Sequence, residues 1–204
     1  MRRQLPIAVE VSIDRFRAQS QILASELETE VRPLASCLKG CHNCCYHPVL
    51  VTILEGLHIY GWLVEQHLWT TELRNRLSEH SDHTFGLSLP VWLMSRIACP
   101  LLDGGLCSIY PARPFACKIT FSTGDPEDCD PHRLAGNPNM TPKREALEAL
   151  GLTESSLLRQ HSLPHVRLPL STALLYGERI VKDQISIEDL QREIGKDLDA
   201  INQS

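Results

Sequence analysis

Clustered positive charge is missing from this chain of 204 residues. Its 20 Lys and Arg are outnumbered by 25 Asp and Glu, the formal net charge is −5, and no Arg-rich stripe occurs. Phosphate binding needs grouped Lys and Arg, so no nucleic-acid partner is expected. Long apolar runs are missing as well. None approaches the roughly 18 residues of a membrane helix, and no membrane partner is expected. The opening MRRQLPIAVEVSIDRF carries two arginines, but its apolar run ends at Glu10. That is short of the roughly 7–15 residues of a signal-peptide core, so a cytoplasmic location is expected. A P-loop, a G-x-G-x-x-G fingerprint, a hydrolase triad, fixed-period repeats and low-complexity tracts are also absent. Aromatic residues make up only 5% of the chain, yet 43% hydrophobic content can form a core without covalent cross-links.

What the chain has in quantity is cysteine, eight in all. Reducing conditions disfavour stable disulfides, so clustered cysteines in a cytosolic protein point to metal or redox chemistry. They fall in two stretches rich in Gly and Pro. CLKGCHNCCYHP spans residues 37–48, and CPLLDGGLCSIYPARPFACK spans residues 99–118, with Cys129 following in GDPEDCDPH.

Around these stretches the apolar spacing predicts helices. One covers residues 12–31, capped by Ser12, with Ile13, Phe16, Leu23 and Leu27 on one face. Another starts at Thr52, where Thr52-Ile53-Leu54-Glu55 has capping-box form, and continues or restarts at Thr70 or Thr71 to about His80. A third covers residues 142–150, with Thr141 as cap, Pro142 in the first turn and Gly151 as the stop. The last is capped by Ser186, with Ile187, Leu190, Ile194, Leu198 and Ile201 on its apolar face. Shorter helices are expected at 153–161 and 170–181, and the best strand candidate is 119–121. The expected fold class is mainly α: helices packed around an irregular cysteine-rich metal-binding core, with little or no β. Residues 1–135 form the cysteine-cluster part and residues 136–204 a helical region packed on it, whose helices could dock a protein partner. Oligomeric state is not legible.

Metal ligands must converge on an ion at about 2.3 Å. The C-x2-C spacing of Cys41 and Cys44 does this readily, and Gly40 before it permits an unusual backbone angle. The doublet Cys44-Cys45 points its side chains apart if the segment is extended, which suits two metal atoms or two corners of a cluster. In the second stretch Asp103-Gly104-Gly105 predicts a turn folding Cys107 back toward Cys99, and Pro100, Pro111 and Pro114 stiffen the loop that carries Cys117. Lys39, Arg96, Arg113 and Lys118 lie close enough in sequence to offset thiolate charge. The expected metal ligands are Cys37, Cys41, Cys44, Cys45, Cys99, Cys107, Cys117 and Cys129; the alternative reading, a small buried hydrophobe, applies first to Cys129. No catalytic residue is identified. His42 and His47 read as polar loop residues before ligands, His80 and His83 as a solvated helix end, Tyr110 and Arg113 as residues that shape and neutralise the loop before they contact a substrate, and Trp62 and Trp69 as core; His161 and His165, with Pro164 between them and no cysteine near, are not read as a metal site.

The order C-x3-C-x2-CC, then CPLL…C-x-IY-x-x-RP-x-x-C, resembles the bacterial YkgJ family, an eight-cysteine domain named for zinc or iron chelation. Cys107-Ser108-Ile109-Tyr110 and Arg113-Pro114-Phe115-Ala116-Cys117 match its second signature, and Glu55 sits where that family places a Glu. The resemblance covers about residues 37–129. Here three residues separate Cys37 from Cys41, where the family has two. The resemblance implies metal binding. A better-understood relative, a flagellin lysine methylase, makes a cluster-dependent methyltransferase the alternative reading.

Wide cysteine spacing and a single C-x2-C element favour an iron–sulfur cluster over zinc, which usually shows paired short knuckles. The C-x3-C-x2-C of Cys37, Cys41 and Cys44 also has the form of a radical S-adenosylmethionine motif, but the strand-and-helix alternation of those enzymes is absent.

Overall fold

The computed structural model describes residues 7–31, 33, 35–37, 40–122, 124, 129 and 144–202. Within them lie eight α-helices: α1 (Ile7–Val31), α2 (Ile53–Glu65), α3 (Thr71–Thr84), α4 (Leu89–Ser95), α5 (Phe115–Lys118), α6 (Arg144–Gln160), α7 (Leu170–Val181) and α8 (Ile187–Asn202). Four two-residue strands pair antiparallel. β1 (Leu50–Val51) lies against β4 (Leu168–Pro169), and β2 (Leu102–Asp103) against β3 (Leu106–Cys107). The chain is mainly α with little β, as expected. None of the described helices is long and apolar enough to cross a membrane.

The fold is centred on the contact between α2 and α7. Ile53, Leu54, Leu57, Ile59 and Leu63 leave almost no side of α2 exposed, which marks a helix at the middle of a core. Its partner α7 contributes Leu170, Ala173 and Leu174 to the same cluster. Gly56 sets the close approach: a Cβ there would meet the Ala173 carbonyl oxygen at 2.8 Å. Polar ties then fix α3 to α7. The buried Glu178 carboxylate accepts from Arg74 Nε at 2.7 Å, Trp69 Nε1 at 3.0 Å and Lys182 Nζ at 2.6 Å. Arg179 clamps Glu193 of α8 through two hydrogen bonds, of 2.7 and 2.9 Å. Trp69 also stacks edge-on against Tyr60, so it is a core residue.

Several local expectations change. Helix α1 begins at Ile7, so Ser12 lies inside it and does not cap it. The helices expected at 142–150 and 153–161 are, over the described residues, one helix, α6 (Arg144–Gln160), which runs through Gly151; Leu150, Leu157 and Leu158 are buried along it. That burial outweighs the roughly 1 kcal/mol that a mid-helix glycine forfeits relative to alanine. Thr141 and Pro142 lie outside the described residues, as does Lys39. The second helical stretch restarts: α2 ends at Glu65, His67 takes φ 57°, and Thr70 caps α3 by accepting the Leu73 N–H at 3.2 Å. His80 is not a solvated end. It is half-buried and bonds the Ser171 hydroxyl at 2.9 Å, and burial followed by the neighbouring His83 pushes its pKa down to about 4. No strand forms at 119–121, because those residues leave α5 in irregular backbone. Ser186 caps α8 as expected, accepting the Asp189 N–H at 3.0 Å.

Candidate metal centre

The first cysteine stretch is bent before it reaches the core. Gly40 takes φ 89°, and residues Asn43–Tyr46 then form a 3₁₀ turn closed by Cys45 N–H to the His42 carbonyl at 2.8 Å and His47 N–H to the Cys44 carbonyl at 3.1 Å. This turn corrects the expectation for the doublet. The segment is not extended. Both sulfurs face one cavity.

The second stretch is folded by its glycines. Gly104 and Gly105 take φ 55° and 78°, the two positive angles of a tight hairpin turn, and the β2–β3 register sets Cys107 opposite Leu102. Cys107 is thereby returned toward Cys99, as the sequence implied. The hairpin tip lies near the first stretch: a Cβ on Gly105 would come within 3.7 Å of the His42 ring. A direct backbone bond joins the two stretches, from Cys99 N–H to the Cys45 carbonyl at 2.7 Å.

Cys117 is carried by α5, a helix of four residues that could not hold itself. Glu55 of α2 holds it. Its carboxylate accepts the Phe115 N–H at 2.5 Å, at the first turn of α5. Thr52 does accept the Glu55 N–H at 3.4 Å, but the Glu55 side chain does not close the capping box; it is directed instead to the cysteine loop. Burial, and then the field of Glu154, raises its pKa to about 7. The sequence offered the resemblance at Glu55 but not this partner.

Cys41, Cys44, Cys45, Cys99, Cys107 and Cys117 together line one cavity of about 370 Å³. Val49, Leu101 and Leu170 are among the apolar residues of its wall, Tyr110 and Arg113 also line it, and neither His42 nor His47 does. All eight thiols are free, and Cys41 is the exposed one. Among the described residues, no group of three His, Cys, Asp or Glu side chains is drawn together about one ion point. The sulfurs stand around a space instead. Cys37 and Cys129 do not line this cavity; Cys37 lines a second hollow together with Cys41, Cys44 and Cys117. The Ser122 N–H donates to Cys37 Sγ at 3.3 Å.

Electrostatics separate these thiols. Burial raises Cys99 to about 11 and lifts Cys107, Cys117 and Cys129. Cys44 is brought down to about 7, first by the hydrogen bond from Cys45 and, against burial, by the Arg113 guanidinium. Cys45 is correspondingly pushed up. Arg113 lines the cavity, stacks over the Tyr110 ring at 3.8 Å, and keeps a buried Nε with no partner among the described residues. A cationic N–H left unpaired beside a ring of sulfurs, and an amide N–H already aimed at Cys37, both fit metal-bound thiolates, which accept such bonds. The residues present therefore fit a thiolate-held metal group.

Donors of one kind, facing a shared space and backed by a cation, define a thiolate metal-binding domain. The matching family model is CxxCxxCC, "Putative zinc- or iron-chelating domain", over residues 36–141, just over half of the chain, and the chain belongs to that family. This span is longer than the 37–129 read from the motifs. No curated protein and no solved structure matches the chain.

Proposed function

We propose that this protein carries an iron–sulfur cluster, in preference to zinc, on cysteines drawn from residues 37–45 and 99–129. The observation that supports it is the single cavity lined by six cysteines of the two stretches, in which the sulfurs surround a volume and do not converge on a point. A polynuclear core is bound from its corners, whereas zinc needs four donors about one centre. When bound, such a cluster supplies one-electron redox chemistry; the protein residues hold it, exclude water with Val49, Leu101 and Leu170, and offset its charge with Arg113. Anaerobic purification followed by iron and acid-labile sulfide counts and a visible spectrum tests this. A brown protein with matched iron and sulfide is expected. A colourless one with stoichiometric zinc refutes the preference for iron.

A second reading is a cluster-dependent enzyme, such as a methyltransferase. It is favoured by the cavity mouth, where Cys41 is exposed and Tyr110 is 49% exposed beside Arg113, so a small molecule has a route to the centre. Equilibrium binding of S-adenosylmethionine to the metal-loaded protein supports this reading, and no binding removes it.

A further inference from the structure

The segment Arg113-Pro114-Phe115-Ala116-Cys117-Lys118 places a cation on either side of the short helix α5. Both cations line the second hollow, which measures about 250 Å³. Only Arg113 also lines the larger cavity, so the charge of Lys118 is given to the second hollow alone. That hollow reaches the surface along α1, where its lining residues Gln21, Ser25 and Glu28 are exposed.

The two cations are half-buried and lack a counter-charge of their own. Arg74, Arg167, Arg179, Lys182 and Arg192 each pair with a carboxylate, but neither Arg113 nor Lys118 forms an ion pair with a described residue. The Arg113 Nε is buried without a partner. Glu55, whose field reaches Lys118, is buried in the core, does not line the hollow and accepts the Phe115 N–H. Glu28 is the carboxylate among the lining residues, and it stands at the exposed end. Two like charges that have lost part of their hydration and face one small space repel each other, and an anion between them relieves both costs. Ser25 and Tyr110 add hydroxyl groups to the lining.

We propose that this hollow is a binding site for a small oxyanion, the carboxylate of an organic acid or a phosphate group, held between Arg113 and Lys118. The guanidinium offers a planar fork of N–H donors that matches two oxygens at once, and the ammonium adds a point charge. At about 30 Å³ per water molecule the hollow has room for roughly eight, enough for a phosphate or a short organic acid. The proposal goes beyond the metal-binding reading and holds for either metal. It puts a small anion beside Cys41, Cys44 and Cys117, three of the sulfurs that line the larger cavity.

Calorimetric titration of the anaerobically purified full chain with inorganic phosphate, and separately with acetate, in a low-chloride buffer tests this. Saturable binding of one anion per chain is expected for at least one probe. Phosphate alone assigns a phosphoryl ligand, acetate alone a carboxylate, and both a site that reads the shared oxyanion. Lys118→Gln should weaken that binding at least tenfold, with metal content and far-UV circular dichroism unchanged. Lys196→Gln, at an exposed lysine of α8, should leave it unaltered. Ser25→Phe, at an exposed position of α1 that lines the hollow, should also abolish it, and it decides the matter if Lys118→Gln does not fold. No saturable binding of either probe to the wild type overturns the proposal. So does equal binding by Lys118→Gln, or an equal loss in Lys118→Gln and Lys196→Gln. A Lys118→Gln protein that loses metal but keeps the anion overturns it too, because Lys118 then serves the thiolates. None of these results touches the metal-binding reading, which the metal content of the wild type tests separately.

Discussion

Glu55 couples the helical core to the cysteine loop, and its substitutions should separate two effects. The carboxyl is buried and accepts the Phe115 N–H at 2.5 Å, while its pKa stands at about 7 against an ordinary 4.5, first because of burial. A carboxyl whose folded pKa is raised binds its proton more tightly when folded. Its stabilising contribution is therefore present in full below pH 4.5 and is lost as pH rises through about 7. Between pH 5 and 8 the metal-free protein should lose about 2–3 kcal/mol from this group alone. Glu55→Gln keeps an acceptor and cannot ionise, so it should show no such loss. Glu55→Ala leaves the Phe115 N–H unpaired, at about 1–3 kcal/mol, and removes one methylene worth about 0.8 kcal/mol. Urea unfolding of the three metal-free proteins at pH 5, 6, 7 and 8 measures both effects. The difference between wild type and Glu55→Gln cancels the titration of the thiols. Parallel pH profiles for these two proteins would refute the reasoning, as would an alanine variant as stable as the glutamine variant at pH 5.

Other substitutions probe other links. Gly56→Ala should lower stability by about 1–3 kcal/mol, because the added Cβ meets the Ala173 backbone, whereas Gly61→Ala on the same helix has nothing within 4 Å and should raise it slightly; urea midpoints check both. Glu178→Ala should lose about 2 kcal/mol in thermal or urea unfolding, a figure held down because Arg74 and Lys182 are about half exposed. Although burial opposes it, the hydrogen bonds from Lys182, Arg74 and Trp69 hold the Glu178 pKa below 4.5, so this loss should shrink as pH falls through that region. Arg113→Gln should weaken metal retention by about tenfold or more in chelator competition, with far-UV circular dichroism unchanged.

The parts of this fold legible in sequence are those governed by local rules. Thr52, Thr70 and Ser186 cap helices because a hydroxyl accepts a nearby N–H, and Gly104-Gly105 turns because only glycine takes two positive φ angles cheaply. Where tertiary burial overrode local preference, sequence reading failed. Gly151 sits mid-helix because Leu150, Leu157 and Leu158 hold that helix to the core. Helix α4, Leu89–Ser95, is too short to show a period, and the pairing of Leu50 with Pro169 joins segments with no local signal. In the site, cysteine spacing revealed the candidate ligands. It could not reveal the 3₁₀ turn that swings Cys44 and Cys45 to one side, the Ser122 N–H on Cys37, or the use of Glu55 on α5, because each depends on contacts across 60 residues or more or on a turn without a glycine signal.

The central claim is that sulfur from both cysteine stretches surrounds bound metal. X-ray absorption at the metal edge of the anaerobically purified full chain measures this directly. The expected result is a first shell made of sulfur at about 2.3 Å. A shell dominated by nitrogen or oxygen, or a protein purified without metal that binds neither iron nor zinc, would contradict it.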